Sequence, residues 1–518
     1  MVTDVRRITS RLTDMGFELN PDAQGRLERN LFRSSTGDSR DLRTPFAGGR
    51  PREEIEERYR KEVGFTKYAE LTAIDEKEIS KWGSFSIMLP WTERRDSVTD
   101  FEHQTFSADM ATLDKVVWEM SKLFPRSSFR PMDIHTAVLS MPRGKMLGLP
   151  TMSSDDSLIP QYEQRARINA PTYPAVAGWR GQAAGLHVPP KQRLVWMMDH
   201  KETIDGLRIL YPVLNRLRVL PGFSAWSNDL AVDTAITKLL QTASGLGETV
   251  VSADYSGFDA SVSYTLIQYV FDLLRYWFTD ETKSLLDELE TVFTTIPLVT
   301  PDGVFTNRKG GVPSGSALTN LVDTLVNVMA GRYAALKLGV TLQAFEVLGD
   351  DSVFVFHPFM GVDELSEVLS ELGLESNPEK QFVSKRSAHF LQRWHSLDYL
   401  LSGEARGVRS LYRALNGIMS LERWVPTEQS KYKYLMAARA IMQINNVRWH
   451  PFFHKSVELV KEDEPVLRTG IDPTTVFRRA GGSEAIRSAL SIASFPFNQQ
   501  DPDMVEEFAA TAVLREIA

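Results

Sequence analysis

Val347-Leu348-Gly349-Asp350-Asp351-Ser352-Val353 places two adjacent carboxylates at a glycine turn between apolar, β-prone arms. Phe345, Val347 and Leu348 precede the turn and Val353, Phe354, Val355 and Phe356 follow it, so Gln343 to Phe356 reads as a β-hairpin with the acids at its tip. Upstream, Glu248 to Ala253 reads as a strand running into Asp254-Tyr255-Ser256-Gly257-Phe258-Asp259. A strand end holds a side chain beside a rigid sheet rather than on a loose loop. With the two strands as neighbours, Asp254, Asp350 and Asp351 converge, and three carboxylates that close repel one another strongly without cations. Two divalent ions about 3.5 to 4 Å apart would relieve that repulsion, which is the chemistry of nucleotidyl transfer.

The composition fits such a site. The chain has 518 residues, 42% hydrophobic and 24% charged, enough for one large multi-lobed unit or about three domains. Cysteine is absent, which excludes disulfides, thiolate zinc sites and a cysteine nucleophile. A catalytic metal must then sit on oxygen or imidazole, and clustered carboxylates favour magnesium or manganese. The net charge of −8 argues against an all-basic nucleic-acid coat but leaves room for a basic channel inside an acidic shell. Two cationic clusters support a channel: Arg180, Lys191, Arg193, Lys201, Arg208, Arg216 and Arg218, then Lys380, Lys385, Arg386, Arg393, Arg406, Arg409 and Arg413. No apolar run approaches a membrane span and no apolar signal region follows Met1, so the chain reads as unsecreted and not membrane-embedded.

Around the two acid segments the pattern alternates strands and helices from about Pro212. Helices are expected over Asp229–Thr242, Ser263–Phe278, about Ala317–Leu338 and Val362–Leu372, with Ala388–Trp394 strand-like. The stripe Tyr264, Phe271, Trp277 and Phe278 reads as core. Residues 1 to about 60 suggest an extended arm, Arg52 to about Leu123 is dominated by helical periodicity, and the chain beyond Glu404 is mostly helical. His450 and His454 have i, i+4 spacing, but Pro451 lies between them and no zincin acid accompanies them, which favours a structural role.

A Gly-Asp-Asp triplet alone arises by chance in roughly one chain in ten of this length. The ordered series carries more weight. Asp254 to Asp259, then Pro313-Ser314-Gly315-Ser316-Ala317-Leu318-Thr319, Gly349-Asp350-Asp351, Asn377-Pro378-Glu379-Lys380 and Phe390-Leu391-Gln392-Arg393 resemble motifs A to E of viral RNA-dependent RNA polymerases, over roughly residues 180 to 395. The wording Ala253 to Ser261 resembles the picobirnavirus and partitivirus neighbourhood of double-stranded RNA viruses, picobirnavirus above all. Lys191-Gln192-Arg193 resembles the basic motif F, joined by Arg180, and Gly148-Leu149-Pro150 with Thr151 and Ser153 resembles motif G.

The resemblance implies an α+β, closed right-hand fold, with an antiparallel palm sheet backed by helices and a helical thumb. An arm (1–59) would bridge fingers and thumb, with fingers at 60–211 and 291–311, palm at 212–290 and 312–404, and thumb at 405–518. It implies Asp254 and Asp350 as principal ligands of two Mg2+ ions, replaceable by Mn2+, with Asp351 auxiliary and Lys380 a general acid toward pyrophosphate. Lys191 and Arg193 would grip the triphosphate, suited to it as point charge and bidentate donor. Asp259 would accept from the ribose 2′-hydroxyl, where a reverse transcriptase would carry a bulky aromatic gate. Ser314 and Gly315 would open the loop that supports the template and senses the ribose, Ser314 and Thr319 would bind the nucleotide, and Arg180, Gly315 and Arg393 would contact RNA. Many relatives carry Asn four residues after that threonine; this chain has Asp323, with Asn320 and Asn327 nearby, and the ribose role passes to Asp323. Two acids around one sugar need an extra donor. Template and nascent RNA and ribonucleoside triphosphates follow as partners, a viral capsid protein as a further candidate, and the virion interior and host cytoplasm as the location. The competing classes are a reverse transcriptase or DNA polymerase, and a non-catalytic virion scaffold.

Overall fold

The computed structural model describes residues 5–141, 146, 148–425, 427–490 and 501–518. Among the described residues eleven strands form three sheets: β1 (Ala175–Gln182), β2 (Lys191–Met197), β3 (Val250–Ala253), β4 (Leu298–Thr300), β5 (Gly303–Phe305), β6 (Thr341–Leu348), β7 (Asp351–His357), β8 (Phe382–Ser384), β9 (Ser387–Phe390), β10 (Arg393–Ser396) and β11 (Val408–Arg409).

The central sheet has the order β6-β7-β3-β8 and is antiparallel throughout. Strand periodicity explains why its apolar run is continuous rather than alternating. Val353 and Val355 of β7 join Val250 in a cluster with Val232, Ile236 and Leu240 of the helix Asp229–Leu246. Phe354 and Phe356 point the other way, with Val251, into the large core built on the helices Tyr264–Trp277 and Thr319–Leu338. Both faces are covered by helices, so both registers of side chain must be apolar.

A second sheet, β2-β1-β4-β5, pairs β1 antiparallel with β2 and parallel with β4. The helices Val5–Asp14 and Pro21–Thr36 lay Ile8, Leu12, Leu27 and Leu31 against Val176 and Val299 of this sheet. Further along, Phe46, Ile55, Tyr59, Ile79 and Trp82 enter the core of the C-terminal helices. Thr44 seals that contact: its amide donates to Met419 O at 3.0 Å and its hydroxyl to Ile418 O at 2.8 Å. The segment from Ile8 to Trp82 thus packs on both the second sheet and the C-terminal helices.

Three sequence expectations change. Ala388–Trp394 is not one strand but the hairpin β9-β10, turned at Leu391 and Gln392, both in the left-handed region at φ 52° and 61°. Neither is a residue that advertises such a turn. Helical structure between Arg52 and Leu123 is interrupted, running over Arg52–Val63, Ala69–Ser80, short turns at Trp91–Glu93 and Asp96–Thr99, and Met110–Ser121, with irregular chain around Gly83 and Pro90. Of the aromatic stripe, Phe271, Trp277 and Phe278 are buried while Tyr264, at its helix start, is exposed. His450 is structural: buried, with Nε2 3.2 Å from Asp75 Oδ2. Among the described residues no helix is long and apolar enough to cross a membrane.

Candidate active site

The pairing Ala253↔Ser352 brings the end of β3 beside the start of β7, so Asp254 emerges next to Asp351 and the Gly349-Asp350 turn. Gly349 takes φ 61°, the left-handed geometry a tight turn needs. The turn is clamped from the helix Thr319–Leu338. Asn327 donates to Gly349 O at 3.0 Å and Asp350 O at 3.1 Å, and Gly349 N donates to Thr324 Oγ1 at 2.8 Å. Tyr255 hydroxyl donates to Asn327 Oδ1 at 3.0 Å, tying the β3 segment to the same clamp. Both side-chain amide atoms of Asn327 are spent on this clamp, which takes it out of contention as a reader of ribose.

Asp254 is held by a residue that no sequence pattern pointed to. Gln381 donates to Asp254 O at 2.9 Å and accepts from Asp254 N at 3.1 Å, continuing the β3–β8 ladder with a side chain. The same amide donates to Ser376 Oγ and Asn377 O, so the loop bearing exposed Lys380 is fastened to Asp254.

Five carboxylates feel one another here. Asp351 is pushed up to about 7 by burial, then by the charges of Asp350 and Asp254, against the pull of Arg413 and Arg193. Asp259, on the short helical turn Phe258–Ser261, is pushed up to about 6 by burial and Asp350, with Arg193 opposing. Asp323 is raised well above the usual carboxylate range, by burial and then by Asp259 and Asp350, and its Oδ1 is buried without a hydrogen-bond partner among the described residues. Among the described residues no three acidic or imidazole side chains already close around one point as a ligand cage. The donor set is nonetheless all carboxylate oxygen, mutually repelling and part-protonated, which fits hard divalent cations.

The folded state holds protons on Asp351 and Asp259 that an unfolded carboxylate releases near 3.8. Stability of the cation-free protein should therefore fall as pH rises from about 4 toward 7. A thermal melt series from pH 5 to 8 should show a declining Tm that Mg2+ restores at pH 8, and less decline in Asp351→Asn. A flat series would mean the aspartates do not interact at this range.

The strand β2 carries the cations. Lys191 and Arg193 share one face, and Arg193 lies opposite Arg180 in the β1–β2 register. Arg180 pairs with Glu422 at 2.9 Å. Together with Lys81, Arg409, Arg413 and Arg439, Arg180 and Arg193 wall a cavity of about 290 Å3 that includes only two carboxylates, Glu78 and Glu422. Burial and neighbouring guanidiniums push Arg409 down to about 10. This is the basic enclosure inside an acidic protein. Other members of the sequence clusters are spent elsewhere: Lys201 on Asp205 and Glu288, Arg208 on Asp205, Arg406 on Asp233 and Glu404. Arg393, expected on RNA, is mostly buried and paired with Asp229 at 2.7 Å.

The end of β2 also seats two loops. Ser314 hydroxyl donates to Leu194 O at 3.1 Å, and a Cβ on Gly315 would stand 1.8 Å from Trp196 O. Gly148 N donates to Met198 O at 2.8 Å, and a Cβ there would stand 2.1 Å from Met197 O. Thr319 hydroxyl closes the 313–319 loop on Pro313 O at 2.7 Å.

Residues 183–446, more than half of the chain, match the family model of viral RNA-dependent RNA polymerases. The chain is 30% identical over 474 residues to the potential RNA-dependent RNA polymerase of Human picobirnavirus (strain Human/Thailand/Hy005102/-), covering 84% of this chain and 85% of the relative. It is 32% identical over 178 residues to the RNA-directed RNA polymerase of Cryptosporidium parvum virus 1, covering 32% and 33%. The crystal structure of the RNA-dependent RNA polymerase of a human picobirnavirus superposes with TM-score 0.83 at 25% identity, covering 96% of this chain and 100% of that one. Its insertion loop deletion mutant gives 0.82 at the same identity and coverage. With the clamped Gly349-Asp350-Asp351 turn set beside Asp254 under a basic wall, the chain belongs to the viral RNA-dependent RNA polymerases and is picobirnavirus-like.

Proposed function

We propose that this polymerase extends RNA by attack of the 3′-hydroxyl on the α-phosphate of a ribonucleoside triphosphate, with Asp254 and Asp350 holding two Mg2+ ions and Asp351 tuning them. The observation that carries this reading is the convergence of five aspartates where β3 meets the β6–β7 turn, within reach of Arg193. When bound, the ions would lower the pKa of the attacking hydroxyl and stabilise charge on the leaving pyrophosphate. Lys191 and Arg193 grip the triphosphate, and Lys380, exposed on its loop, delivers a proton to pyrophosphate. Asp259 accepts from the ribose 2′-hydroxyl, and Asp323, kept neutral by burial, supplies the donor that two acids around one sugar need. Ser314 and Gly315 support the template, with the loop at Gly148 beside them on β2. Contact with product RNA falls to Arg180, Arg409 and Arg413 on the cavity wall rather than to Arg393. The packing of the segment from Ile8 to Trp82 on both the β1–β2 sheet and the C-terminal helices supports an arm that bridges fingers and thumb.

Purified protein given an RNA template and either nucleotide set tests the reading directly, and deoxynucleotide incorporation matching ribonucleotide incorporation would sink it. Asp259→Asn is expected to lower the preference for ribonucleotides by tenfold or more, ~1.4 kcal/mol. An unchanged preference contradicts the role given to Asp259. Gln381→Ala is expected to cost ~10 to 100-fold in rate, because partners one step behind a metal ligand fix its position. Part of that loss should be recovered at higher Mg2+, and a wild-type Mg2+ titration curve would exclude the positioning role.

A further inference from the structure

Arg308 is 1% exposed, and among the described residues no carboxylate accepts from it. Burial without a counter-ion pushes its guanidinium down to about 9. Its partners are backbone carbonyls: Nη1 donates to Gly310 O at 3.2 Å and Gly311 O at 2.8 Å, and Nη2 donates to Phe293 O. The guanidinium carbon sits 4.6 Å from the centroid of the Trp196 ring, a cation–π contact from below. A buried cation is costly where an apolar side chain could occupy the space, so its presence calls for a reason beyond packing.

The reason lies in the two peptide planes that Arg308 grips. A trans peptide points its C=O and its N–H in opposite directions. The plane whose carbonyl belongs to Gly310 carries the Gly311 N–H, which donates to Val262 O at 2.8 Å. The next plane, with the Gly311 carbonyl, carries the Val312 N–H, which donates to Asp259 O at 2.6 Å. Each plane is therefore a bridge with Arg308 at one end and the turn 259–262 at the other. Both glycines adopt positive φ, 120° and 67°, so the backbone has no steric preference of its own to hold this shape. Fixing the planes fixes the Asp259 turn relative to Ser314 and Gly315, which are docked on β2 just beyond.

We propose that Arg308 is a positioning residue for sugar selection, holding Asp259 at the spacing from the 313–315 loop that admits a ribose and engages its 2′-hydroxyl. This rests on the ribose role assigned to Asp259 above. Lysine keeps the charge but cannot serve three carbonyls in a fixed fork, and methionine keeps only the volume. A displaced turn loses the 2′-hydroxyl contact while leaving the triphosphate cations in place.

The test compares kcat/KM for a ribonucleotide and its 2′-deoxy analogue in wild type, Arg308→Lys, Arg308→Met and Asp259→Asn, with Trp196→Phe as a milder disturbance of the guanidinium's seat. Trp196 Nε1 has no partner among the described residues, so Trp196→Phe removes no hydrogen bond. Preference for the ribonucleotide is expected to fall ~10-fold in Arg308→Lys and up to ~100-fold in Arg308→Met, through displacement of about 1 Å or less. A lesser fall is expected in Trp196→Phe. A purely structural role would lower the active fraction and scale both substrates equally. An unchanged preference ratio in the Arg308 variants, with Asp259→Asn lowering it, overturns the proposal and leaves the ribose reading standing. An unchanged ratio in Asp259→Asn overturns both. Should the Arg308 variants fail to fold, Trp196→Phe decides alone: a wild-type ratio there overturns the proposal.

Discussion

Asp350→Ala is expected to lower nucleotide incorporation by ~10³-fold or more, ~4 kcal/mol of lost transition-state stabilisation, while raising the melting temperature of the cation-free protein. Asp350 is the charge the other acids share: it contributes to the raised values of Asp351, Asp259 and Asp323 alike. Its side chain is thus the centre of the repulsion and, on the proposed reading, the group that would hold a cation between them. The fold does not need it. Asn327 grips the carbonyls of Gly349 and Asp350 and Thr324 receives the Gly349 amide, all through backbone that alanine retains. Removing the charge therefore relieves strain without loosening the turn, the exchange of stability against activity that functional sites show. Radiolabelled incorporation, RNA binding and a thermal melt on one preparation separate the outcomes. Near-normal incorporation would remove Asp350 from the chemistry, and a lowered Tm would mean that the carboxylates are not the source of strain described here.

Why that turn was readable in the sequence, and its supports were not, follows from the range of the interactions. The hairpin β6–β7 and the strand before Asp254 are local, written in side-chain alternation and in a glycine that must adopt positive φ. The convergence of Asp254 with Asp350 needs a long-range pairing, Ala253 with Ser352, yet the ordered series of short motifs supplied it. Gln381 and Arg308 act through backbone atoms of distant or bent segments, and nothing about a glutamine after Lys380 or an arginine before two glycines announces the partner. Asn327 was visible as a residue but not as a clamp, because its hydrogen bonds run to carbonyls rather than to a side chain with chemistry of its own. Charge clusters misled for a related reason: composition counts cations, whereas Asp229 and Asp205 decide which remain free; Arg393 was claimed by an acid remote in the chain, and Lys201 by Asp205 one helical turn on and by Glu288 on another helix. Lys81 and Arg439 joined the cavity from outside the clusters.

Gly315→Ala is expected to cost ~10²-fold in kcat, the scale of an ångström-sized displacement of groups that position a substrate. Its φ is not in the left-handed region, so conformation is not what demands glycine; space is. An added Cβ would stand 1.8 Å from Trp196 O and 2.9 Å from Trp196 C, both backbone atoms. Neither can yield cheaply. Trp196 is registered against Ala177 in the β1–β2 ladder, and Ser314 hydroxyl already binds Leu194 O on the same strand. The loop must lift instead, breaking the Ser314 contact and shifting the loop proposed to support the template relative to the aspartates. Gly245→Ala serves as the control, since it lies in the helix Asp229–Leu246 with nothing within 4 Å of an added Cβ, and alanine there should be neutral or stabilising. The decisive comparison is kcat at saturating nucleotide for the two variants. If Gly315→Ala matches Gly245→Ala, the 313–315 loop can move without consequence and its role in carrying the template is lost; if it falls while its Tm stays near wild type, the close approach to β2 exists for catalysis and not for folding.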